Sequence, residues 1–221
     1  MMPRLPAFFP EDPAQTLRIK RFLIALGSYA MWAGLSAVSI LQGFTRYTME
    51  DLFHISLAVL FTNSVTYIVF RTGLNKKFKD PSLTIPQMLL GTFWIMVCIY
   101  GADEIRSSML MLYFVVLIFG VFRLRIRQFM FISFFALVNY SVVVYMNYTF
   151  HPEEIKLKVE LTNILFLATV LPWFSLVGSY ITNLRTTIAK ALETIEKLAV
   201  TDELTEVYNR RRLLEILKEQ K

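Results

Sequence analysis

The sequence predicts an all-α polytopic membrane protein: six transmembrane helices followed by a cytoplasmic coiled-coil stalk. Three observations predict it. Six long runs contain no Asp, Glu, Lys or Arg, at 22–45, 52–70, 82–102, 107–122, 128–150 and 161–184. Positive charges alternate between rich and poor segments from one connection to the next. Apolar residues after the last run follow heptad spacing. Composition agrees: the 221 residues are 55% hydrophobic and 18% charged, with 19 Phe, whereas a soluble domain carries about 25% charged residues. The single cysteine, Cys98, excludes an intrachain disulfide.

Residues 1–21 read as a cytoplasmic segment. Pro3, Pro6, Pro10 and Pro13 crowd its first part, a density that argues against a regular helix over 1–15. Arg18, Lys20 and Arg21 precede the first run. That run exceeds the apolar core of a cleavable signal peptide, about 7–15 residues, so it reads as an uncleaved span.

Residues 22–184 read as the membrane domain. A span needs about 20 residues, within a range of about 17–25. Five runs meet this. The fourth is short, with Arg106 and Arg123 placed to snorkel at its ends. The N-terminal segment and the second and fourth connections carry eleven positive residues, and the other connections carry four. The positive-inside rule then puts both termini in the cytoplasm. Because the positives fall in short strips between apolar runs, a nucleic-acid partner is not expected.

Pro172 lies near the middle of the sixth run. Proline removes a helix hydrogen bond and tends to kink the chain, so Pro172 is a candidate hinge. Polar residues within or beside the runs, Gln42, Asn63, Thr66, Asn139, Asn147 and Asn163, fit hydrogen bonding between membrane helices. His54 and His151 fall on the outer side with Asp103 and Glu104. These four are the sensor candidates, as groups able to read external pH or an ion. No H-x-x-x-H or C-x-x-C spacing is present, so no metal site is predicted. The Phe- and Met-rich helices also suit a lipid or small-molecule signal.

Residues 185–200 read as a signalling helix. Ile181, Leu184, Ile188, Ala191, Ile195 and Leu198 are spaced 3, 4, 3, 4, 3, an a/d seam that begins in the last run. Lys190, Glu193, Glu196 and Lys197 lie off the seam. A parallel homodimer is the natural way to cover it.

Residues 202–211 read D-E-L-T-E-V-Y-N-R-R. Taken alone, this is a polar turn and a helix start, with Asn209 as N-cap. The stretch also resembles the opening of the GGDEF domain of bacterial diguanylate cyclases, where D-x-L-T-G-L-x-N-R-R is usual. Asp202, Leu204, Thr205, Asn209, Arg210 and Arg211 match. Six specified residues at roughly 5% usage coincide by chance on the order of 10⁻⁸ per position. Glu206 stands where Gly is usual, and Val207 replaces Leu.

The resemblance covers about residues 199–221 and implies that 201–221 begin a GGDEF domain. It implies a sensory and dimerising module of the bacterial inner membrane that controls a cyclase making cyclic di-GMP from two GTP. The GGDEF loop, metal-binding carboxylates and guanine-binding residues are expected beyond Lys221. The chain is therefore expected to be a truncated form, inactive alone, with no catalytic residue or cofactor of its own. Magnesium and GTP belong to the missing domain. The family also implies an ionic latch between Asp202 and Arg210 or Arg211. The alternatives are the sensor region of a degenerate, nucleotide-binding GGDEF relative, or of another membrane receptor. A histidine kinase stalk lacks its phosphoacceptor, since no histidine follows His151. A transporter would leave the seam and the D-x-L-T segment unexplained.

Overall fold

The computed structural model describes residues 10, 12–121 and 123–200, with side chains as far as Ile195. These residues are 84% helical and contain no strand. The helices are α1 (Pro13–Leu41), α2 (Met49–Arg71), α3 (Thr84–Tyr100), α4 (Arg106–Met109), α5 (Met111–Gly120), α6 (Ile126–Phe150) and α7 (Leu157–Val200).

The starts of α1, α2 and α3 have local causes. Asp12 caps α1 by accepting from the Ala14 N–H at 2.9 Å. Pro13 sits in the first turn, where a missing N–H costs nothing. The proline-dense segment thus does not exclude helix up to residue 15, because its last proline starts one. Thr48 and Asp51 form a reciprocal capping box on α2. The Asp80 carboxylate accepts from Ser82 N at 3.0 Å and Thr84 N at 2.8 Å, which fixes the start of α3. Burial pushes the Asp80 carboxyl up, but these hydrogen bonds and the Arg123 charge outweigh it and hold it below the usual range.

Four helices are long and apolar enough to cross a membrane: α1, α2, α6 and the Leu157–Ile195 part of α7. The third and fourth apolar runs form shorter helices. α3 has 17 residues, between the Asp80-capped turn and Gly101. The fourth is divided at Leu110 into α4 and α5.

The segments run alternately between two ends. At one end, Asp12 pairs with Lys76 at 2.7 Å and Arg123 with Asp80 at 3.1 Å. Gln15 there bonds Asn75 at 2.8 Å, and the Thr182 hydroxyl donates to the Val121 carbonyl at 2.6 Å. At the other end, Thr45 bridges Ala102, and Arg46 pairs with Glu154. The first is the basic end, and the second holds Glu50, Asp51, Asp103, Glu104, Glu153 and Glu154.

The main core lies among α3, α5, α6 and α7, around Ile95, Tyr113, Leu117, Phe129, Ile132 and Leu171. α1 and α2 form a hairpin with a smaller core of Ile19, Phe22 and Phe70. Many of their apolar side chains face outward, among them Ile24, Leu35, Phe53 and Phe61.

Candidate functional site

The acidic end gathers three connections around two arginines. Thr45 bridges Ala102, and the Arg46 N–H donates to the Gly101 carbonyl at 3.0 Å. Gly101 is required here, because a Cβ would lie 2.2 Å from the Tyr47 ring. Arg46 Nη1 meets Glu154 Oε2 at 2.9 Å, and Nη2 donates to the Tyr100 carbonyl and Asn147 Oδ1. The guanidinium lies 4.6 Å from the Tyr100 ring centroid. The same ring meets His151 edge-on, with Tyr100 Oη 3.5 Å from His151 Nε2.

Deeper lies a buried ion pair. Arg106 does not snorkel: only 2% of it is exposed. Its Nε donates to the Ala102 carbonyl at 2.8 Å and its Nη1 to Glu160 Oε1 at 2.7 Å. The other Glu160 oxygen accepts from the Tyr140 hydroxyl. Asn163 Nδ2 donates to Tyr140 Oη at 3.0 Å and to Ser107 Oγ at 2.9 Å. Every formal charge in this layer is thus matched by a charge or several dipoles, as burial demands. Arg106 Nη2 and Asp103 Oδ1 face each other at 3.6 Å, and both lack a hydrogen-bond partner.

Asp103 links the two layers. Its N–H donates to the Phe44 carbonyl at 3.3 Å. Burial pushes its carboxyl above the usual range. Arg46 opposes that, the Glu154 charge reinforces it, and Arg106 opposes it in turn.

The structure therefore brings Asp103 and His151 into one polar region. His54 is exposed on α2 beside Phe53, and Glu104 is exposed in its turn; neither is hydrogen-bonded into the network. The described residues contain no group of three or more His, Cys, Asp or Glu able to hold a metal. Arg46, Tyr140 and Glu160 are members that the sequence did not single out, and Arg106 was expected only to snorkel. Their one signal was position: Arg106 and Glu160 each lie one residue before an uncharged run.

Of the polar side chains in the runs, Asn147 and Asn163 cross between helices, as above. Thr66 and Asn139 each donate to a carbonyl four residues back in their own helix, and Asn63 does the same but also hydrogen-bonds the Tyr29 side chain of α1. Gln42 is exposed at the end of α1.

Toward the basic end, α7 passes Pro172 without interruption. The Leu171 carbonyl accepts from the Ser175 hydroxyl at 2.9 Å and the Ser133 hydroxyl at 3.3 Å. The two hydroxyls are 2.7 Å apart, tying α7 to α6 beside the proline. One turn further, Gly178 lies against Phe129, whose ring a Cβ would approach to 2.9 Å. After Thr182, residues 183–195 are all exposed. The seam positions Ile181, Leu184, Ile188 and Ile195 are 37%, 46%, 50% and 61% exposed, and Ala191 is exposed too. The Leu198 side chain and Asp202, Leu204, Thr205, Asn209, Arg210 and Arg211 lie outside the described residues.

No protein-family model, curated protein or solved structure matches the chain.

Proposed function

We propose that residues 22–184 are a six-crossing sensory module of a bacterial inner membrane, with both termini in the cytoplasm. Residues 185–200 pair it with a second copy in parallel, and the pair sets the activity of a diguanylate cyclase that begins near residue 201. The carrying observation is the D-x-L-T-x-x-x-N-R-R match at 202–211, directly after a helix that leaves the bundle. Two features support it. The basic end is the one from which α7 departs, as the positive-inside rule requires of a cytoplasmic output. The exposed seam has no apolar partner among the described residues.

The mechanism follows from helix geometry. α7 is anchored at one end through Glu160 and near Pro172 through Ser175. A stimulus that shifts α6 against α7 would rotate or splay the paired stalk. Two cyclase domains, each holding GTP and magnesium, would then face or part. The stimulus is an ion, a lipid or a small molecule read by the bundle.

The test is a register series. Residues 1–201 are joined to the GGDEF domain of an active diguanylate cyclase at the shared Asp-x-Leu-Thr, with one to seven residues inserted after Thr187. Cyclic di-GMP output should rise and fall with a period of about 3.5 residues. A flat or steadily falling series sinks the stalk mechanism. The degenerate-relative reading draws on Glu206, where Gly is usual. It predicts GTP binding without product by the parent protein.

A further inference from the structure

A cavity of about 410 Å³ opens at the basic end, between α1, the start of α3, and α5. This lies within the range of small-molecule sites, about 300–1,000 Å³. Three walls are graded in the same sense. Along α1, the lining residues Arg18, Arg21, Ala25, Tyr29 and Trp32 fall on one helical face, cationic first and apolar after. On the α3 side, Ser82 and Gln87 precede Met88 and Gly91. α5 runs the other way, and its Val116 and Phe119 are followed by Arg123. Arg185 of α7 completes a mouth of four arginines, and no carboxylate lines the cavity. Gly91 lines the deep part with bare backbone, where a Cβ would lie 3.4 Å from both the Tyr29 hydroxyl and Val116.

We propose that this cavity binds one anionic phospholipid of the cytoplasmic leaflet, phosphate at the arginines and an acyl chain toward Trp32. Charge alone would admit a soluble phosphate, but the apolar depth then has no occupant. Length agrees with a lipid. Arg18 to Trp32 spans fourteen residues, about 21 Å at 1.5 Å per residue, which is half of a bilayer of about 40–45 Å with its headgroups. Basic pockets between helices on the cytoplasmic side are suited to such headgroups. Arg123 is preoriented, because Asp80 holds its Nε and the Ser82 hydroxyl accepts from its Nη1 at 2.6 Å. The site rests on the membrane placement proposed above, and not on the cyclase assignment.

Tryptophan quenching tests it. The chain has three tryptophans, so Trp94→Phe with Trp173→Phe leaves Trp32 as sole reporter. The chain is placed in phosphatidylcholine vesicles containing a small, equal fraction of brominated phosphatidylglycerol or brominated phosphatidylcholine. Trp32 should be quenched well beyond the bulk fraction by the brominated anionic lipid alone. Arg18→Gln and Arg21→Gln should each lower that excess about fivefold, and Val116→Phe should abolish it by filling the cavity. Equal quenching by both lipids overturns the site. Excess quenching by a brominated free fatty acid in place of the phospholipid overturns the ligand class. A companion chain keeping only Trp173, which is 67% exposed, should respond equally to both lipids. If it responds to neither, the membrane placement fails, and the site with it.

Discussion

At the residue scale, the Arg106–Glu160 pair governs the acidic end. Removing one partner leaves the other charged and buried, which typically costs about 3–5 kcal/mol. Arg106→Met should therefore destabilise the bundle by that order, measured by unfolding in mixed detergent. Replacing both, Arg106→Met with Glu160→Leu, should recover most of the loss. Two single-variant losses that simply add would show that the pair does not act as a unit. The sequence hid this pair for a physical reason. An arginine at the end of an apolar run can reach either solvent or a partner, and only the packing of α7 beside α4 decides between them.

At the element scale, α7 is the informative helix. Its length and the 3-4 seam were legible, because helix and heptad periods are local properties of a sequence. The close contact at Gly178 was not, because it depends on a ring from α6. That contact makes the α6–α7 seam tight about 9 Å along α7 from Pro172, where the sequence places a hinge. Gly178→Ala should cost about 1–3 kcal/mol by overpacking, and Phe129→Leu in the same chain should relieve much of it. Both are read by thermal unfolding in detergent. No relief would mean that the glycine matters to its own backbone and not to the neighbouring helix. The short inner helices were also only partly legible. The run at 82–102 is long enough to span, yet α3 starts where Asp80 caps it and ends at Gly101. An uncharged run sets an upper limit on a helix, and caps set its actual length.

At the scale of the whole molecule, the separation of basic from acidic ends was legible in full, since it needs only the charges and the order of the runs. The oligomer is where the chain makes its strongest demand. Leu184, Ile188 and Ile195 stand exposed along a helix that has left the bundle, and Ile181 is exposed at the point of departure. The mass of the chain in nanodiscs should be that of a dimer, and that of a monomer once residues 185–221 are removed. A dimer that survives truncation would move the interface onto the membrane helices, where α1, α2, α6 and α7 all present outward apolar side chains.

α3 and the α4–α5 segment measure about 26 Å and 22 Å at 1.5 Å per residue, against about 30 Å of bilayer hydrocarbon. In the proposed setting, the insulating layer is therefore thinner through the centre of the protein than around its rim. A voltage across the membrane would fall over a shorter path along these two segments, which the loop carrying Asp103 and Arg106 joins. Each elementary charge moved through the full potential is worth about 2.3 kcal/mol per 100 mV. In that setting Asp103 and Arg106, which lie where the two short segments meet, would sit at the end of this shortened path.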